Sequence, residues 1–251
     1  MTSNLQPPTQ TLVKICGVSD PRHARLAAAC GADFVGMVFA PSQRQVTLGQ
    51  AQRIAAALGK GAPRPLSSAL TRSAGEGEGV RAIEEALRQR RPLLVGVFAD
   101  QDADTINAMA AECALDLVQL SGSEPWEMCE LLSRPVFKCT KVREGARAGD
   151  VLSEVRPGAI VLLDPHVPGT YGGTGRTLDW SVAAEIARQT PIVLAGGLTP
   201  NNVAEAVRTV RPWAVDVSSG VETNGKKDAA KIRAFIQAAK TGLPNVQRAA
   251  S

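Results

Sequence analysis

Residues 191–220 read PIVLAGGLTPNNVAEAVRTVRPWAVDVSSG, and this stretch carries the fold in miniature. Ile192, Val193 and Leu194 form a short apolar run that ends on Gly196 and Gly197. Thr199 before Pro200 is a helix-start signal, and 201–210 then places apolar residues at helical spacing. A second apolar run, 214–218, ends on Ser219 and Gly220. Runs that are apolar throughout suit strands covered on both faces, which is how parallel sheets read.

The same alternation extends toward the N-terminus. Apolar runs at 12–16, 33–39, 93–98, 116–120, 135–140 and 159–164 bring the strands to eight. Ala-rich amphipathic stretches at 21–30, 103–113, 179–188 and 228–239 supply helices, the first opened by Ser19 and Asp20 before Pro21. Eight strand–helix repeats in 251 residues is the arithmetic of an α/β fold of the (β/α)₈ TIM barrel class. A doubly wound open sheet is the alternative, but its GxGxxG fingerprint is missing after the first strand, where Gly17 stands alone.

The barrel is expected over 11–241. Residues 59–79 are rich in Gly, Pro, Ser and Arg, and read as a flexible insertion between the second helix and the third strand. It leads into a helix over 80–90, on the side where helices return to strands. The tails 1–10 and 242–251 read as disordered.

Composition narrows the function. The net charge of +4 is spread along the chain, which suits a small anionic ligand and does not imply a nucleic-acid groove. Five cysteines, with no CxxC pair, argue for a reducing compartment and against a disulfide framework or zinc site. No signal-peptide plan or membrane-length apolar run is visible, so a cytoplasmic protein is expected.

In such barrels the working groups sit at the C-terminal ends of strands. Those ends carry Cys16, Arg44 in the loop after the second strand, Gln119 to Ser121, Asp164 and Asp216. They also carry three glycine clusters: Gly172, Gly173 and Gly175; Gly196 and Gly197; Ser219 and Gly220. Glycine lets backbone N–H groups approach an anion, so three clusters on consecutive strand ends point to a phosphate site. By strand alternation Cys16 shares a face with Lys14, which either lowers the thiol pKa or pairs with an inward acid such as Asp216. A thiol and a carboxylate facing one pocket suit paired proton transfer, with Cys16 as base and Asp164 as an acid that burial keeps protonated; the plainer alternatives are a cysteine that only packs and a strand-end aspartate that caps the next helix. Arg44 has the fork to hold a substrate carboxylate, although a lone loop arginine is more often a solvated charge. His23 and His166 read as bystanders, and Cys30, Cys113, Cys129 and Cys139 as packing.

The motifs VKICG (13–17), GADFVGMVF with PSQR (31–44), VGVF (95–98), VQLSG (118–122), GGTGRTLDW (172–180), LAGGLTPNNV (194–203) and AVDVSSGVE (214–222) together resemble the phosphoribosylanthranilate isomerases of tryptophan biosynthesis. The resemblance runs over about 12–240, and VETNGKKDAAKI (221–232) is similar to the fungal-type sequences. It implies an Amadori rearrangement of a phosphorylated aminoaldose, with Cys16 as general base at C2 and Asp164 as general acid at the ring oxygen. It implies that Arg44 and Asp216 place the anthranilate moiety. Backbone amides at Gly173, Gly175, Gly197, Ser219 and Gly220 would hold the phosphate. It implies no cofactor and no metal, a monomer or homodimer, and a protein that either stands alone or is fused to neighbouring tryptophan-pathway enzymes. One departure stands out: the family's QLHG is QLSG here, with Ser121 where a histidine is usual. Two rival readings are a histidine-pathway isomerase, which has an aspartate at the Cys16 position, and a non-catalytic phosphate-binding barrel.

Overall fold

The computed structural model describes residues 10–59, 78–166 and 177–242. The expected tails, apart from Gln10 and Gly242, and residues 60–77 of the expected insertion lie outside these.

Eight parallel strands close into a barrel in sequence order: β1 (Leu12–Ile15), β2 (Phe34–Val38), β3 (Leu93–Phe98), β4 (Leu117–Leu120), β5 (Val136–Val142), β6 (Ile160–Pro165), β7 (Ile192–Leu194) and β8 (Ala214–Val217). Helices follow the strands: α1 (Pro21–Ala29), α2 (Leu48–Ala57), α3 (Glu78–Gln89), α4 (Ala103–Glu112), α5 (Met128–Leu131), α6 (Ala148–Ser153), α7 (Trp180–Ala187), α8 (Val203–Val210) and α9 (Ala229–Thr241). This is the TIM barrel expected from the repeat. A hairpin, β9 (Glu222–Thr223) and β10 (Lys226–Lys227), precedes α9.

Local chemistry accounts for the helix starts. Asp20 accepts from the Arg22 amide with Pro21 in the first turn, and Thr47 with Gln50 forms a capping box on α2. Helix α8 begins three residues after Pro200, because Asn202 first closes a turn by accepting from the Thr199 amide at 2.7 Å.

Strand alternation divides the apolar residues into two cores. Outward residues such as Val13, Val35, Val161 and Val215 pack under the helices. Inward residues such as Phe34, Leu93, Leu117, Phe137 and Ile160 fill the barrel. Phe34, Phe137 and Trp213 meet with ring centroids 5.5 to 6.0 Å apart. Helix α3 closes that N-terminal end with Ile83 and Leu87, and Trp213 Nε1 donates to Glu84 Oε1 at 3.0 Å. With the bottom sealed by hydrocarbon, the opening lies at the C-terminal ends of the strands.

Candidate active site

Cys16 follows β1 directly, and its amide donates to the Val217 carbonyl at 2.8 Å. Asp164 lies near the end of β6, and Asp216 lies on β8. All three line one cavity of about 410 Å³ at the C-terminal mouth, together with Arg44, Gln119 and Ser121. Gly197, Ser219 and Gly220 form part of its rim, while Gly173 and Gly175 lie outside the described residues. The structure therefore brings together every described residue that the sequence singled out for this site.

Barrel register determines the partners. Lys14 is level with Asp216 across β1 and β8, and Lys141 is level with Asp164 across β5 and β6. Each pair forms an ion pair, Lys14 Nζ to Asp216 Oδ1 at 3.0 Å and Lys141 Nζ to Asp164 Oδ2 at 2.6 Å. Lys14 is completely buried. Burial alone would lower its pKa, but Asp216 and Cys16 outweigh this and hold it above the usual value.

Cys16 is buried, at 6% exposure. Its thiol is pushed up from the ordinary value by burial first and by the Asp216 charge second, while Lys14 and Lys227 pull it down. The expected lowering by Lys14 is thus outweighed, by burial of the thiol first and by the Asp216 charge beside it second. Burial also raises the Asp164 carboxyl, and Lys141 offsets only part of that rise. A raised carboxyl pKa favours an acid that can donate a proton.

Gly36 on β2 leaves room for these groups. A Cβ there would lie 3.0 Å from Cys16 Sγ and 3.1 Å from Lys14 Nζ. At the rim, Gly197 has φ +59°, a conformation that side chains disfavour. Gly220 packs so tightly that a Cβ would fall 1.9 Å from the Leu198 carbonyl oxygen, which locks the loops after β7 and β8 together.

The side chain of Ser121 accepts a 2.9 Å hydrogen bond from Gln119 Nε2. The side-chain oxygen Oε1 of Gln119 is buried with no hydrogen-bond partner among the described residues. His166 follows β6 and is exposed. All five cysteines are free, and Cys139 lines the cavity, so packing alone does not describe it.

Sequence reading missed Lys141, Glu222 and Lys227. Ending the fifth strand at residue 140 left Lys141 off the inward face, although period two from Cys139 would have placed it there. The Asn224-Gly225 pair is a hairpin signal that would have folded Lys227 back on Glu222. Among the described residues, no group of three or more His, Cys, Asp or Glu could hold a metal ion, and no helix is long and apolar enough to cross a membrane.

The family model for N-(5'phosphoribosyl)anthranilate (PRA) isomerase matches residues 64–238. An N-(5'-phosphoribosyl)anthranilate isomerase of Roseiflexus sp. is 46% identical, over 91% of this chain and 97% of that one. A multifunctional tryptophan biosynthesis protein of Phycomyces blakesleeanus is 43% identical over 92% of this chain but only 33% of its own length. Bacterial relatives thus match at least as well as this fungal one, which leaves the expected fungal character unsupported. Among solved structures, phosphoribosyl anthranilate isomerase from Thermotoga maritima superposes with a TM-score of 0.72 at 34% identity, covering 92% of this chain and 99% of that one. A phosphoribosyl anthranilate isomerase in complex with reduced 1-(o-carboxyphenylamino)-1-deoxyribulose 5-phosphate has a TM-score of 0.69 at 32% identity, covering 92% of this chain and 100% of that one.

Proposed function

Because this chain belongs to the N-(5'-phosphoribosyl)anthranilate isomerase family of tryptophan biosynthesis, we propose that it converts N-(5-phosphoribosyl)anthranilate into 1-(2-carboxyphenylamino)-1-deoxyribulose 5-phosphate, with Cys16 as general base and Asp164 as general acid. One observation supports this pairing: a thiol directly after β1 and a carboxyl on β6, with β7 and β8 between those strands, line the same cavity.

Asp164 protonates the ring oxygen as the C1–O bond breaks, and the electron pair on the anilino nitrogen forms the iminium. Cys16, as thiolate, then takes the C2 proton. The C2–H electrons move into a C1–C2 double bond, and the iminium nitrogen recovers its pair. Tautomerisation of this enolamine yields the aminoketone. Each transfer is worth about 10²–10⁴-fold. Arg44 faces the substrate carboxylate, and Asp216, tied to Lys14, borders the aryl group. Backbone amides at Gly197, Ser219 and Gly220, with those at Gly173 and Gly175, take the phosphate. A cytoplasmic setting and assembly as a monomer or homodimer accompany this reading; a Thermotoga maritima relative is described as dimeric.

The test is direct. Purified protein is mixed with phosphoribosylanthranilate in the presence of EDTA, and loss of anthranilate-type fluorescence is followed. Conversion at rates far above the uncatalysed reaction is expected. A wild type that binds the reduced product analogue without turnover would overturn the catalytic reading in favour of a binding barrel.

A further inference from the structure

Arg44, in the loop after β2, and Glu222, the first residue of β9, are 178 residues apart in sequence. Glu222 Oε1 accepts from Arg44 Nε and Oε2 accepts from Arg44 Nη2, both at 2.8 Å. The same Oε1 accepts from Lys227 Nζ at 2.7 Å. Lys227 Nζ also donates to the Ser218 carbonyl at 2.9 Å, which ties the cluster to the loop bearing Ser219 and Gly220. These side chains are nearly closed to solvent, at 14% for Arg44, 7% for Glu222 and 3% for Lys227.

A guanidinium offers five N–H donors in a rigid fork. Glu222 occupies the Nε–Nη2 edge, and no described residue accepts from Nη1. Arg44 lines the cavity, and its Nη1 donors are not claimed by any described residue. The charge balance fits as well. An Arg–Glu pair alone would be neutral, whereas Lys227 leaves the cluster with a single positive charge, matched to one incoming carboxylate.

We propose that Glu222, itself held by Lys227, is a positioning residue: it orients Arg44 with its free edge toward the cavity and thereby sets the preference for a substrate whose aromatic ring carries a carboxylate. Glu222 touches no reacting atom in this scheme. The proposal rests on the isomerase reading above, and its test separates the two.

The probes are the reduced product analogue and the same molecule lacking its ring carboxylate, titrated calorimetrically into wild type, Glu222→Gln, Lys227→Met and Arg44→Ala. Wild type should favour the carboxylate probe. Glu222→Gln should lose about tenfold of that preference while its affinity for the decarboxylated probe stays within about twofold, since one charge-assisted contact is misdirected. Lys227→Met should erode the preference in the same direction, and Arg44→Ala should abolish it. A generally loosened site would weaken both probes alike, and that result in Glu222→Gln would overturn the proposal. If that variant binds neither probe, Glu222→Asp decides: retention of full carboxylate preference with a shortened arm overturns the proposal, and loss of preference supports it. Preference lost in Arg44→Ala but kept in Glu222→Gln would remove Glu222 alone. Failure of wild type to bind either probe would overturn the isomerase reading and this proposal with it.

Discussion

Lys141 Nζ sits 2.6 Å from Asp164 Oδ2, yet the carboxyl stays above its ordinary range because burial outweighs its cation. The Cys16 thiol is also raised by burial. The catalytic form proposed for the enzyme, thiolate with carboxylic acid, is therefore a minority state between the two pKa values. In that regime kcat/KM is level across the middle, falls at low pH with the Asp164 pKa and falls at high pH with the thiol pKa. Lys141→Met removes a group that lowers the Asp164 pKa, so the acid limb should move to higher pH. A pH–rate profile with that limb unchanged would separate Lys141 from the tuning of Asp164.

Replacing the reacting groups has a different signature. Cys16→Ser and Asp164→Asn should each lower kcat by about 10²–10⁴-fold, with only modest loss of affinity for the reduced product analogue. In Asp164→Asn the residual rate should keep rising with pH until the thiol ionises, because no acid remains to be lost. Stopped-flow fluorescence over a pH series measures both effects, and a full-speed Cys16→Ser enzyme would exclude the thiol.

Gly36→Ala probes the fit around the base. The new methyl would approach Cys16 Sγ at 3.0 Å and the Cys16 Cα at 3.2 Å, and the backbone atom cannot swing aside. Overpacking of this kind costs about 1–3 kcal/mol, and a small displacement of a reacting group is expensive in rate. The expected outcome is a kcat loss of about tenfold or more with a lowered melting temperature. Unchanged kinetics would show that the thiol does not need its present position.

Lys14→Met leaves Asp216 buried without its cation. Breaking a buried pair in this way costs about 3–5 kcal/mol, and Lys14→Met with Asp216→Asn should recover part of the loss. Chemical denaturation measures this; equal stability of the single and double variants would mean that the pair is not coupled.

The Glu222 pKa is lowered to about 2: burial opposes the shift, but the hydrogen bonds from Arg44 and Lys227 prevail. A depressed carboxyl pKa stabilises the fold above the unfolded value of about 4.3 and loses that contribution as pH falls toward the folded value. The stability advantage of wild type over Glu222→Gln should therefore shrink as pH drops through this window. Thermal melts of both proteins at matched pH measure it, and a difference that persists unchanged under acid would contradict the ion-pair account.

Much of this molecule is legible along the chain because its determinants are local. Period-two alternation placed Cys16 on the face of Lys14 and put Asp164 at a strand end. The glycine punctuation of 191–220 marked the loops that meet at the rim, where Gly220 leaves no space for a side chain beside Leu198. Fifth-strand length was less legible: FKCTKV ends in mixed polar residues, so Lys141 read as loop although it lies in β5.

The residues alone determined the barrel, its open end and the two groups offered for proton transfer, since these follow from apolar runs, turn chemistry and strand alternation within short windows. Only closure of the sheet decided which charges meet. Lys14 finds Asp216 across 202 residues and Arg44 finds Glu222 across 178, because those contacts depend on register and loop packing around the whole barrel. The direction of the thiol's shift was decided there too, for desolvation is a property of the completed interior and not of any neighbour in the chain.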